Sequence, residues 1–298
     1  MASLESGLFY YLLRLINKKK FLEMQFAFGK FNFNNSKEPP AETYRFCDIQ
    51  KRQVKSRNVF TLTPKGAQST THILYLHGGA YVQSFVKQHW KFLSFLVRFT
   101  RCTITAPDYP LAPKNNYHDA FDMVMALYKE VIAESGSKNT ILMGDSAGGG
   151  FALALAQNLI RNKIDQPRKI ILLSPWLDIT LNNPEINDID RLDPFLSVRG
   201  LRKAGLAFAG TSDPDNAMLS PINGPLEGLS PISMFMGSKE ILVPDARKLA
   251  MLAREEGVSI NYHEYKDMVH VWMLLNFRES KQAKKEIIKL ILENETRY

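Results

Sequence analysis

The chain of 298 residues contains only two cysteines, Cys47 and Cys102. Two are too few for a disulfide framework. Both lie in strand-like surroundings and are expected as free core thiols, which fits a reducing, cytoplasmic location. No run approaches the ~20 apolar residues of a membrane-spanning helix, so stable membrane insertion is not expected. Internal repeats and low-complexity tracts are absent, which argues against a solenoid or a disordered scaffold. There is no clustered His/Cys ligand pattern, and no metal or diffusible cofactor is called for. The first apolar stretch, Leu8 to Ile16, has its positive charges after it rather than before it, and no small-residue cleavage site follows, unlike a signal peptide. The formal charge of +8 comes from scattered residues, apart from Lys18-Lys19-Lys20, Lys51-Arg52 and Lys284-Lys285. No recognition motif accompanies them, so nucleic acid is not an expected partner.

What is present is an ordinary globular composition, 45% hydrophobic and 23% charged, on a chain long enough for a large core. Short apolar runs alternate with helical stretches, which predicts a single α/β domain with a mostly parallel sheet. Strands are expected over Thr43–Ile49 and Asn58–Thr63, joined by a charged turn and forming an antiparallel edge. Further strands are expected at Thr71–Leu76, Arg101–Ala106, Thr140–Met143, Lys169–Leu173, Ile232–Met236 and around Val258, Ile260 and Tyr262. Helices are expected over Val86–Phe99, Tyr117–Glu134, Ala147–Ile160, Val243–Glu256 and Arg278–Asn294. Two segments lie outside this alternation. The first 40 residues read as an amphipathic helix running to about Phe28, then a linker at Lys37–Ala41. Leu181 to Pro221 is rich in Asn, Asp, Pro and Gly around a helical island, Val198–Phe208. Both are read as parts of a cap over a site, because so long an excursion usually carries function. For the N-terminal helix, a surface-seeking role is the alternative.

Gly144-Asp145-Ser146-Ala147-Gly148 carries the most chemistry. It is a Gly-x-Ser-x-Gly turn between an apolar strand and a buried helix, the context that forces a serine hydroxyl out at a helix N-terminus. Upstream, His77-Gly78-Gly79-Ala80 follows another apolar run. Such a loop can aim backbone N–H groups at an oxyanion, and the two motifs in this order fit an α/β-hydrolase. The expected oxyanion donors are the amides of Gly78, Gly79 and Ala147.

These motifs resemble the hormone-sensitive-lipase-like branch of the α/β-hydrolase esterases. The family's Gly-Asp-Ser-Ala-Gly-Gly is complete at Gly144–Gly149. Its His-Gly-Gly-Gly has Ala80 in the fourth place. Asp108-Tyr109-Pro110-Leu111-Ala112-Pro113 is similar to the family's Asp-Tyr-Arg-Leu-Ala-Pro, with Pro110 in place of the Arg. Ser174-Pro175-Trp176-Leu177-Asp178 also matches. The resemblance spans about Ile73 to His270. It implies a helical cap built partly from the N-terminal segment, and short to medium acyl esters as substrates.

A serine nucleophile needs a base and an acid to orient that base. In this fold both follow the serine in the chain. Only His263 and His270 do so among the histidines. His263 sits within an alternating strand, whereas His270 lies in a loop after the last strand, where active sites of open α/β sheets occur. His270 is the expected base. Gly237-Ser238-Lys239-Glu240-Ile241-Leu242 resembles the family's acid loop, with Glu240 where Asp commonly stands. Glu240 is the expected acid and Asp245 its rival; Asp267 is too local to His270, and Asp145 is expected to brace the elbow. Phe85, Trp176, Phe195, Phe208 and Trp272 are candidates for either pocket wall or core. The expected function is a serine carboxylesterase with a small-molecule ester substrate. The alternatives are a binding protein on a hydrolase scaffold, an amide-cleaving variant, and an interfacial lipase whose N-terminal helix makes weak lipid-surface contact. Homo-oligomerisation is compatible with the sequence.

Overall fold

The computed structural model describes residues 2–29 and 36–293. Its strands are β1 (Cys47–Val54), β2 (Arg57–Pro64), β3 (His72–Leu76), β4 (Thr103–Pro107), β5 (Thr140–Asp145), β6 (Lys169–Leu173), β7 (Ile232–Gly237) and β8 (Ile260–Tyr265). They form one sheet in the order β1-β2-β4-β3-β5-β6-β7-β8. The β1–β2 and β2–β4 pairs are antiparallel and the other five are parallel. The α-helices are α1 (Leu4–Leu15), α2 (Lys18–Ala27), α3 (Lys87–Thr100), α4 (Tyr117–Ser135), α5 (Ala147–Arg161), α6 (Ile186–Asp190), α7 (Val198–Ala209), α8 (Val243–Glu255) and α9 (Arg278–Leu292).

The strands from β3 to β7 are mostly apolar and buried throughout because both faces of the sheet are covered there. Alternate residues go to opposite sides. Leu74, Leu142, Leu172 and Met234 face a core shared with α4, α5 and α8, whereas Ile73, Ile141, Ile171 and Phe235 face one shared with α3 and α9. The carboxyl ends of the parallel strands thus open at one rim, between two packed layers.

Three expectations change. Thr43–Arg45 is a 3₁₀ turn rather than strand, and β1 starts at Cys47. Of the charges read as a turn, Lys51 and Arg52 lie within β1; together with Asp48 they are exposed on an edge strand, where charge discourages pairing with another chain. The turn itself is Lys55-Ser56, both at positive φ (49° and 62°), a geometry whose twist matches a two-residue hairpin. The N-terminal helix is two helices. Asn17 adopts φ 50°, ψ 46°, and asparagine is among the few residues that tolerate this left-handed conformation. The closing helix ends at Leu292; the expected last residue, Asn294, lies outside the described residues.

Trp90 is fully buried, packs on Phe85 (4.4 Å between rings) and Phe60 (5.0 Å), and donates to the Ser36 carbonyl at 2.6 Å. Trp90→Ala should lower the unfolding free energy by about 3–5 kcal/mol. A urea titration reads this directly, and a loss below about 1 kcal/mol would contradict the packing described.

Candidate active site

Ser146 stands between β5 and α5 with φ 52° and ψ −122°. A non-glycine residue there carries strain of about 1–3 kcal/mol. The surroundings over-determine it. Its amide donates to the Leu173 carbonyl at 2.8 Å, and its carbonyl accepts from Gly149, Gly150 and Trp176 at 3.0, 3.1 and 2.9 Å. Two residues on, α5 presses against the end of β3. A Cβ on Gly148 would fall 2.0 Å from the Leu76 carbonyl oxygen, which is why glycine is needed at this contact.

The Ser146 hydroxyl is 2.9 Å from Nε2 of His270, whose Nδ1 hydrogen-bonds Oε2 of Glu240. All three side chains are buried or nearly so. The other Glu240 oxygen accepts from Ser174 Oγ at 2.8 Å and the Gly237 amide at 2.6 Å, so the carboxylate is fully engaged. Ser174, at the end of β6, also accepts from the Val271 amide at 3.2 Å, tying the histidine loop to the acid. Ser174 and Val271 both have positive φ, 46° and 47°. Strained backbone thus gathers around this hydrogen-bonded line.

The rivals stand elsewhere. Asp245 is buried at the start of α8, accepts from Asn183 Nδ2 at 2.9 Å, and leaves Oδ2 without a partner among the described residues. Asp267 pairs with Lys239 at 3.0 Å. His263 stacks on Phe235 at 4.5 Å.

The set of amides expected as oxyanion donors requires one correction. The Gly78 amide is already committed, donating to Asp145 Oδ1 at 2.9 Å. The amides of Gly79, Ala80 and Ala147 have no partner among the described residues. Gly79 holds φ 127°, a conformation side chains rarely adopt, and it turns the loop so that Gly79 and Ala80 line the cavity beside Ser146. Ala147 opens α5, where unsatisfied N–H groups and the helix dipole favour negative charge.

Buried carboxylates lock this loop. Asp145 also accepts from Tyr75 Oη at 2.6 Å and meets His89 Nε2 at 3.2 Å. Burial pulls its pKa up, but His89 and the three hydrogen bonds outweigh that and hold it below the usual value. His77 is driven down to about 4 by burial and stays neutral. Its Nδ1 meets the Gly78 carbonyl at 2.6 Å, and its ring stacks on Tyr109 at 4.3 Å. Pro110 leaves the Asp108 turn without the family's arginine, and Arg57 of β2 makes contacts there. Its guanidinium lies 3.1 Å from Asp108 Oδ2 and donates to the Asp108 and Tyr109 carbonyls at 2.7 and 3.0 Å. Nothing in the local sequence of β2 signals that role.

Asp193 also escapes sequence reasoning, since it resembles any loop acid before a helix. It is buried and accepts from the amides of Phe195, Leu196 and Ile241, at 2.8, 2.8 and 2.9 Å. Ile241 follows Glu240, so one carboxylate joins the segment before α7 to the acid loop. Burial pushes the Asp193 pKa up to about 6, with the three amides pulling the other way.

Above Ser146 lies a cavity of about 360 Å³. Leu13 and Phe26 from α1 and α2, and Phe195 and Leu201 from the long excursion, line it. Helix α2 packs along α7 so closely that a Cβ on Gly200 would sit 3.3 Å from the Phe26 ring. Of the aromatics considered for the wall, Phe195 lines the cavity; Phe85, Trp176, Phe208 and Trp272 are core.

A serine on a strand-to-helix elbow, hydrogen-bonded to a histidine that in turn bonds a carboxylate, all at the strand ends, defines the hydrolase class of this α/β fold. The chain belongs to the alpha/beta hydrolase fold family, whose model matches residues 73–274. Within it, the chain sits with the hormone-sensitive-lipase-like esterases. It is similar to an esterase of Acinetobacter venetianus, 32% identical over 226 residues and covering 74% of each chain. It is similar to an acetyl-hydrolase of Streptomyces hygroscopicus, 29% identical over 201 residues and 67% of each chain. The crystal structure of an esterase from the bacterial hormone-sensitive lipase family superposes with a TM-score of 0.78 at 26% identity, over 92% of this chain and 89% of that one.

Two substitutions separate the carboxylates. Glu240→Gln should lower turnover about ten-thousand-fold, as loss of the orienting acid does in serine proteases. Asp245→Asn should leave turnover within a few-fold (roughly) of the parent, since Asp245 touches none of the three residues. The reverse pattern in ester-hydrolysis assays would reassign the acid. Asp245 should instead report on stability. Burial raises its pKa to about 6 from 3.8, so it contributes stability below 3.8 that is lost as pH rises through 6. Asp245→Asn should therefore raise the melting temperature at neutral pH, by up to about 3 kcal/mol in stability, and change it little near pH ~4. Equal shifts at both pH values would contradict this.

Proposed function

We propose that the protein is a serine carboxylesterase for short- to medium-chain acyl esters, acting through Ser146, His270 and Glu240. That it is a carboxylic ester hydrolase follows from its family. The observation that carries the finer reading is the hydrogen-bonded line from Ser146 through His270 to Glu240 at the floor of a mainly apolar cavity.

Ser146 Oγ attacks the acyl carbon while its proton passes to His270 Nε2. Glu240 holds Nδ1–H and stabilises the imidazolium. The developing oxyanion is met by the amides of Gly79, Ala80 and Ala147, which are fixed before substrate arrives. Collapse of the tetrahedral species breaks the bond to the alkoxy oxygen, and His270 gives that oxygen its proton. Water then repeats the steps on the acyl-enzyme.

A cavity of about 360 Å³ lies near the small end of the roughly 300–1,000 Å³ usual for ligand sites. That volume supports short acyl groups over palmitoyl-sized ones. The described parts of residues 1–40 and 181–221 act as the cap that shapes it. Two buried cysteines, Cys47 and Cys102, neither in a disulfide among the described residues, support work in a reducing, cytoplasmic compartment.

Nitrophenyl esters from acetate through palmitate test the proposal. Turnover should be highest on the short esters, and Ser146→Ala should reduce it by roughly four to six orders of magnitude. A folded protein inactive on every ester, or activity surviving in Ser146→Ala, would overturn it.

A further inference from the structure

Helix α1 is apolar on two sides. Tyr10 and Leu13 are buried on one side, and Leu13 lines the cavity. The other side carries Leu4, Leu8, Tyr11, Leu12, Leu15 and Ile16, spaced as one face of a helix and all exposed. Leu4, Leu8 and Leu15 are 93%, 73% and 84% exposed. Scattered exposed leucines are ordinary, but a continuous stripe roughly 18 Å long is not. Helix α2 repeats the pattern with exposed Phe21, Met24 and Phe28. Ile16 belongs both to this stripe, 56% exposed, and to the cavity lining. The cavity therefore meets solvent beside the stripe.

The charge around the stripe selects its occupant. Arg14, Lys18 and Lys20 stand beside it, while Lys19 is held by Asp190 at 2.7 Å. Glu5 is the single acid of α1. A second copy would bring these cations against one another on a chain of net charge +8. Anionic lipid headgroups supply the opposite sign, and aliphatic and aromatic side chains can sink below them.

We propose that the exposed face of α1, continued by α2, seats on an anionic lipid surface and turns the mouth of the cavity toward it. The inward face of the helix walls the cavity and the outward face docks. Docking does not depend on the catalytic reading; delivery of an ester from the lipid surface to Ser146 rests on it.

Co-sedimentation with vesicles tests the docking without any chemistry. The full chain should pellet with mixed phosphatidylcholine and phosphatidylglycerol vesicles. It should pellet less with phosphatidylcholine alone, and less as salt is raised. Leu8→Asp with Leu15→Asp should lower partitioning about tenfold or more. Neither residue lines the cavity, so hydrolysis of soluble nitrophenyl acetate should be unchanged, which also certifies folding. Arg14→Glu with Lys20→Glu should weaken binding to the mixed vesicles while leaving the weak binding to phosphatidylcholine alone unaltered. No binding to the mixed vesicles overturns the proposal, as does binding that both variants retain. A dimer in sedimentation velocity that the leucine variant dissolves, without vesicle binding by the parent, would assign the face to a second copy and equally overturn it. Docking with no ester hydrolysis would leave the lipid surface standing and remove only the delivery step.

Discussion

The site depends on one backbone constraint, the left-handed conformation of Ser146 at the junction of β5 and α5. The turn places Ser146 against the cavity and starts α5 directly after it. Strain of this kind persists only where neighbours forbid relaxation. Here the carbonyl of the strained residue accepts three amides, two from α5 and one from Trp176. The strand ends on either side supply the remaining parts. β3 leads into the Gly79–Ala80 loop, β6 leads straight to Ser174, β7 ends before Glu240, and β8 runs into the His270 loop. Because these strands are parallel, their carboxyl ends, and hence the loops, meet on one rim.

Buried carboxylates are the fasteners of that rim. An unpaired charge in the interior is costly, so each carboxylate demands donors and thereby fixes the loops that carry them. Asp145 gathers Tyr75, Gly78 and His89, uniting β3, the loop that follows it and α3. Glu240 gathers Ser174, Gly237 and His270. Asp193 joins the excursion after β6 to the acid loop through three amides. Asp108 is met by the Arg57 guanidinium of β2, which also donates to the Asp108 and Tyr109 carbonyls. The excursion after β6 is in this way tied to the rim through hydrogen bonds, and to the N-terminal helices through the apolar packing of α2 on α7.

The N-terminal segment shows why the same residues support two readings. A lid helix and a surface-seeking helix both need an apolar face, and α1 has two. Sequence periodicity records that apolar residues recur, but it does not say which recurrence meets the protein body. Burial separates them: Tyr10 and Leu13 point inward, Leu8 and Leu15 outward.

Much of the architecture was legible in the sequence. Strands buried on both faces must be short apolar runs, and only glycine tolerates contacts as close as that at Gly148, so sheet and elbow are written locally. His270 and Glu240 could be singled out as candidates because in this topology the loops after the last two strands return to the serine, and folding does bring the two side chains into one hydrogen-bonded line with Ser146. What tertiary structure decided is of another kind. Gly78 is a plausible oxyanion donor until Asp145, far along the chain, is seen to occupy its amide. Arg57 and Asp193 look like an edge-strand cation and a loop acid until folding brings distant backbone groups to them. The single N-terminal helix became two at Asn17, since periodicity does not register one residue turning left-handed. Local sequence determines which conformations each segment prefers; the partners of polar groups are set by non-local approach, and only the folded chain decides those.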